Sequence, residues 1–241
     1  MPFDSYRSHE VPDDVLAAID YCYEQGWTDG LPVVPPVIDR VEATLAFEGR
    51  PPEAVIATHP ATGLQLSVHA AAVNAVMAGC LPEYFPVLVA AFEAMDKPDF
   101  NFHGSTASTG GSAPLLIISG PVADDIGMNA DVNLFGPGNR ANATIGRAVR
   151  LILRNVFQMI PGISDKSTQG QPGKYTSASP SVRAATHGRC SARRRAIRTG
   201  FPASPFLPRA RSAMSRTTAA TRLNKSSAPL PMRWRITAAS P

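Results

Sequence analysis

Apolar positions recur at helical spacing in several stretches of this chain, and turn residues fence each stretch. Between Asp13 and Gln25, Val15, Leu16, Ile19, Cys22 and Tyr23 make one apolar face. Asp13 and Asp14 suit the first turn of a helix there, and Gly26 suits the position past its end. Pro35-Pro36 bars a regular helix, so Trp27 to Pro36 reads as an ordered turn feeding an extended segment. A second helix is expected over Val37 to Phe47, ended by Gly49-Arg50-Pro51-Pro52, and a short strand over Ala54 to Thr58. Leu66 to Ala78, rich in Ala, Val and Met, predicts a buried helix closed by Gly79, and Pro82 to Met95 another. Phe100 to Gly111 is Ser-, Thr- and Gly-rich and reads as a loop. The continuous apolar run Pro114 to Ser119 predicts a strand covered on both faces. The longest helix is expected over Asn139 to Phe157, with Ala141, Ile145, Ala148 and Ile152 on one side. Strands alternating with helices predict an α/β (or α+β) layered domain with a short central sheet and several helices.

Charge divides the chain where the hydrophobic pattern fades. All 19 acidic residues lie between Asp4 and Asp165, against 8 basic ones, so residues 1–165 carry −11. Residues 166–241 hold the other 15 of 23 Lys and Arg and no acid, which gives +15. The expected organisation is a globular domain over 1–165 and a basic, disordered tail over 166–241. The tail has a second peculiarity. From Ser177 onward, Ser, Ala, Pro, Thr, Arg and Gly dominate, all encoded with C or G in the middle of the codon. Only three of these 65 residues (His187, Asn224 and Lys225) need A there. GC-rich genes concentrate G and C at the third position, so the tail reads as out-of-frame translation from about residue 177. The other reading is a basic arm for nucleic acid. Its near-absence of aromatics, Phe201, Phe206 and Trp234 alone, and its total lack of acid count against that partner.

Cys22, Cys80 and Cys190 form no paired framework and no CxxC, which fits a reducing compartment. Met1 to Glu10 is polar, with no apolar signal core, and no apolar run reaches the roughly 18 residues that span a membrane. The expectation is a cytoplasmic protein without a membrane partner.

Candidate chemistry concentrates at a few places. Gly136-Pro137-Gly138-Asn139-Arg140-Ala141-Asn142 leads into a helix whose first N–H groups would attract an anion. Gly136 and Gly138 would admit a close approach, Asn139 and Asn142 add donors, and Arg140 and, two turns on, Arg147 can clamp an anion. The same pattern also describes a glycine turn capping a helix. Cys80 falls just before a helix start, where a thiol pKa can drop, with Glu83 close enough for proton transfer; a packed, inert thiol is the plainer reading. His59, past a strand end, and Asp29, in Thr28-Asp29-Gly30, are acid/base candidates, although Asp-Gly commonly just forms a turn. Ser105 and Thr106 can bind polar substrate groups or make turn hydrogen bonds. No His or Cys pair stands at metal-ligand spacing, so no metal is assigned, and no cofactor is specified.

Gly26 to Pro36 (GWTDGLPVVPP), Asn74 to Tyr84 and Gly136 to Arg147 together resemble a largely uncharacterised bacterial family. Its members occur with, or fused to, a UGSC-type redox domain that bears Cys or selenocysteine. The resemblance covers about Glu24 to Tyr175 and breaks off where the composition changes. It implies a thiol- or redox-linked metabolic enzyme or enzyme subunit, and a separate redox domain as partner. With the residue reading it gives three expectations: an enzyme or subunit binding a small anionic metabolite, a non-catalytic partner of a redox domain, and nucleic-acid binding through the tail.

Overall fold

The structure, a computed structural model, describes residues 8–11, 14–181 and 234–237. In chain order its elements are β1 (Ser8–Val11), α1 (Val15–Glu24), α2 (Ile38–Leu45), β2 (Val55–Thr58), β3 (Gln65–Ser67), α3 (Val68–Ala78), α4 (Phe85–Met95), α5 (Phe102–Thr106), β4 (Leu116–Ile118), α6 (Pro121–Asp125), α7 (Arg140–Asn155), β5 (Ala178–Pro180) and β6 (Trp234–Thr237). This is a layered α/β domain dominated by helices. Its strands form three two-stranded ladders among the described residues: β1–β6 and β2–β3 antiparallel, β4–β5 parallel.

The core is a seam between α3 and α7, with α2 and α4 packed on α3. Every residue of α3 is buried, as its uniform Ala/Val/Met character predicts. Ser67 caps its start, accepting from the Ala70 N–H at 3.1 Å. Gly79 ends it at φ +90°, a left-handed conformation that glycine adopts without strain. The apolar stripe of α7, Ala141, Ile145, Ala148 and Ile152, is buried as its spacing predicts. Phe85, Leu88 and Phe92 from α4 and Phe157 beyond α7 fill the rest.

The seam also holds buried polar groups. Asn155 Nδ2 donates to Asn74 Oδ1 at 2.8 Å and to the Trp27 carbonyl at 2.9 Å, while Asn74 Nδ2 donates to the Ala70 carbonyl at 2.9 Å. These bonds fix the rotation of α7 against α3 and tie the Trp27 turn to both, because a buried amide without partners would cost more than the bond returns.

Several expectations need correction. The buried side of α1 is Ala18 and Cys22; Val15, Leu16 and Tyr23 are exposed, since α1 touches the body along a narrow strip. The segment expected to be a loop over Phe100 to Gly111 contains the short helix α5, whose Phe102 is buried against Phe157. The strand within Pro114 to Ser119 is not covered on both faces: Ile117 is 63% exposed and Leu115 49%. The ordered fold also continues past the charge boundary at Asp165. Lys174 binds Asp165, and Thr176 Oγ1 donates to the Ala143 carbonyl at 2.8 Å as the chain crosses α7 toward β5. That crossing depends on Gly146, where a Cβ would stand 2.5 Å from both Ser177 N and Thr176 Oγ1. The rest of the basic tail, expected to be disordered and out of frame, lies outside the described residues except for the backbone of β6.

Candidate functional site

The turn before α7 is occupied by the chain's own groups. Asn139 caps the helix, its Oδ1 accepting from the Asn142 N–H at 3.0 Å and its Nδ2 donating to the Gly127 carbonyl at 2.7 Å. Asn142 is buried. Its Oδ1 accepts from Asn129 N–H at 3.0 Å and its Nδ2 donates to the Asn129 and Leu134 carbonyls, both at 3.0 Å. Gly138 takes φ +119°, and a Cβ at Gly136 would collide with the Asn133 amide. The side chains of Asn139 and Asn142 thus hold the 127–134 segment onto α7 and cap the helix, as the glycine-turn reading expects.

Arg147 and Asp29 come together, but as a structural clamp. Arg147 Nε and Nη2 donate to Asp29 Oδ2 and Oδ1 at 2.9 and 2.8 Å, and Nη2 also reaches the Leu31 and Pro32 carbonyls at 3.3 and 2.9 Å. Both carboxylate oxygens of Asp29 are engaged, and the guanidinium holds the turn instead of a ligand. Arg140 Nε donates to the Gly79 carbonyl at 2.9 Å and so ties α7 to the end of α3.

Cys80 lacks the lowered pKa expected for a nucleophile. Burial pushes the thiol up to about 12, against the opposing pull of a Thr144 hydrogen bond and the Arg140 charge. It is therefore protonated at neutral pH. Glu83, half-buried in the turn Pro82–Tyr84, makes no hydrogen bond to it among the described residues. Cys22 is also raised, to about 11, by burial.

His59 is buried completely and is not a loop residue open to substrate. The Thr62 N–H donates to its Nδ1 at 3.2 Å, which places the ring proton on Nε2. Its ring packs on Phe102 and His103 at centroid distances of 5.1 and 5.2 Å. Burial, and secondarily the His103 charge, lowers its pKa.

Ser105 and Thr106 do border a cavity. It measures about 20 Å³ and is walled by α5, the segment entering β4, α7 and the segment 173–177. A volume of that size holds one water or the oxygen of a head group. Arg150, Lys174 and Ser177 line it as well. Lys174 Nζ binds both oxygens of Asp165 at 2.8 and 2.7 Å and also the Ser167 hydroxyl. Arg150 Nη2 meets Asp165 Oδ2 at 3.3 Å and the Met159 carbonyl at 3.5 Å; its Nε and Nη1 make no further hydrogen bond among the described residues. Burial alone would raise the Asp165 pKa, but hydrogen bonds from Lys174 and Ser167 and the Lys174 charge bring it below the ordinary carboxyl value. Two cations thus face one carboxylate, leaving one net positive charge beside the cavity. The hydroxyl protons of Ser105 and Thr106 go to the Phe100 and Phe102 carbonyls at 3.1 and 2.8 Å. Each of these oxygens keeps lone pairs with which to accept.

Arg150, Asp165 and Lys174 escape a reading by sequence. Arg150 sits on α7 only three residues past Arg147, and nothing local distinguishes the two. One turns to Asp29, the other to a segment 15 residues downstream.

Among the described residues no group of three His, Cys, Asp or Glu could hold a metal ion, and no helix is long and apolar enough to cross a membrane. No protein-family model, curated protein or solved structure matches the chain.

Proposed function

We propose that this chain is an enzyme subunit that holds the anionic head of a small metabolite against Arg150. One observation carries the reading: Arg150 and Lys174 outnumber Asp165 beside a cavity, and two nitrogens of Arg150 are left to donate. An anion there accepts from Nε or Nη1 of Arg150, and a donor next to it, a hydroxyl or an ammonium, meets the oxygens of Ser105 and Thr106. Small hydroxy- and amino-carboxylates combine these two features. The cavity admits one oxygen of the head group, so the rest of the ligand lies outside it. The thiol chemistry expected at Cys80 draws no support from a thiol held protonated.

Titration calorimetry of the chain with lactate, glycine, malate and inorganic phosphate tests the reading. A 2-substituted carboxylate is expected to bind, and Arg150→Gln to weaken it at least tenfold (about 1.4 kcal/mol). Arg40→Gln, at an exposed position of α2, serves as the control for net charge. Equal binding by both variants would discard the site. The second reading, a non-catalytic partner of a redox domain, rests on the exposed Leu115 and Ile117.

A further inference from the structure

β4 and β5 do not look like a finished sheet. Leu115-Leu116-Ile117-Ile118 is as apolar as a strand with both faces covered, yet Leu115 and Ile117 are exposed. Among the described residues β4 pairs only with β5, along one edge. Parallel ladders are found buried under further layers, and a two-stranded one has little stability alone. The partner strand is equally odd. Its backbone follows β4 in good register, with Leu116 N–H to the Ser177 carbonyl at 3.0 Å and Ser181 N–H to the Ile118 carbonyl at 2.7 Å. Its residues, Ala178-Ser179-Pro180, are poor strand formers, and Pro180 has no N–H to give.

The genetic code links these two oddities to the composition of the tail. If the middle base of each codon from about residue 177 is truly a third base, the first base written here is truly the middle one. A Ser written TCN then decodes as Phe, Leu, Ile or Val. Ser179 lies in β5 and Ser177 and Ser181 flank it, so the shifted frame allows apolar residues at every second position. Ala178 decodes as Cys, Arg, Ser or Gly, and Pro180 as Ser, Pro, Thr or Ala. Alternation of this kind is the pattern of a strand with one covered face. In the same frame each Thr of the tail decodes as Tyr, His, Asn or Asp, which can return acidic residues to a segment that has none.

We infer that the open side of β4 is the seat of a C-terminal layer encoded in the neighbouring reading frame of this gene, whose first strand is β5 with apolar residues at 177, 179 and 181. Ala113, Pro114 and Ser177, at the starts of β4 and β5, also wall the cavity beside Arg150.

The test reads the genomic DNA across codons 165–195 and the intact mass of the protein purified from its natural source. It then compares amide exchange at 115–119 in that protein with exchange in the 241-residue chain. The expected results are a single-base insertion or deletion, a mass that departs from the 241-residue chain, and exchange at least ~tenfold slower in the natural protein. A DNA sequence in the frame written here, with a matching mass, overturns the inference. So does a shifted frame whose product leaves 115–119 exchanging as fast as before, or protection that appears only when a separate polypeptide is bound. If 115–119 is protected but no carboxylate binds in an Arg150-dependent way, the anion reading fails and the covering layer stands.

Discussion

The α3–α7 seam and the β4–β5 flank use similar material and reach opposite ends. Both start from short, uniformly apolar segments, Ala70-Ala71-Ala72-Val73 in one and Leu115-Leu116-Ile117-Ile118 in the other. In the seam, helices cover the segment on all sides and its polar groups are paired inside, Asn74 to Asn155 and Asn155 to Trp27. On the flank, one apolar residue in two still faces outward and, among the described residues, β4 is paired along one edge only. An apolar run therefore states how much cover a segment needs, and the cover itself comes from elsewhere in the chain. The comparison predicts that stability lies in the seam and that the flank opens first.

The hardest blow to the seam is Asn155→Leu. It strips the donor from both the Asn74 Oδ1 and the Trp27 carbonyl and leaves one buried and one partly buried acceptor unmet, at a cost of about 3 kcal/mol. Denaturant unfolding measures it. A loss under about 1 kcal/mol would mean that the seam does not depend on its polar pairing.

Acid attacks the same region nearly as strongly. His69 is buried in α3, and burial lowers its pKa from 6.5 to about 4. In the unfolded chain it titrates at its ordinary value, so between those limits the unfolded state binds more protons. Its contribution is fully present above pH 6.5 and is lost as pH falls through about 4, at most about 3 kcal/mol. His59, also lowered, acts in the same direction. Asp165, on the flank, acts later: its folded pKa lies below 3.8, so its share persists until the solution is more acidic than that. Melting temperatures from pH 7 to pH 4 are expected to fall, and His69→Gln to flatten the slope. An unchanged slope would remove His69 from the account.

The Asp29–Arg147 clamp joins the Trp27 turn to the outer side of the seam. Asp29→Asn leaves a mostly buried guanidinium without its counter-charge and is expected to cost about 2 kcal/mol. Because the flank is not involved, amide exchange at 115–119 should stay unchanged. A change there would mean that clamp and flank open together.

How legible each region is in the sequence follows from the range of its interactions. The helices α3, α4 and α7 announce themselves because periodicity, caps and Gly79 all act within a few residues. The α7 cap is legible too, but its meaning is not: Asn139 and Asn142 read as ligand donors until Gly127, Asn129 and Leu134 are seen to consume them. Ser105 and Thr106 could be proposed as polar contacts. The charges beside them could not, because Arg150, Asp165 and Lys174 meet only after the 166–177 segment folds back over α7. The covered strand expected at Pro114 to Ser119 failed for a different reason: among the described residues nothing covers Leu115 and Ile117.

Gly146→Ala gives the smallest shift and the sharpest test of the flank, because two effects of opposite sign meet at one atom. Within a helix, replacing Gly by Ala gains about 1 kcal/mol from backbone entropy alone. In the folded structure the new Cβ stands 2.5 Å from Ser177 N and Thr176 Oγ1, both on the strap that carries the chain across α7 into β5. Relieving that collision moves the strap or strains α7, at about 1–3 kcal/mol. If the strap is docked as described, the two combine to a net loss of about 1 kcal/mol, and proteolytic cleavage after Lys174 quickens. If the strap detaches before the rest of the protein unfolds, Ala is free to exert its helix preference. The seam then melts at a higher temperature than in the parent, while cleavage at the strap is fast in both. The sign of the melting shift, read with the cleavage rate, therefore tells whether seam and flank unfold as one unit or two.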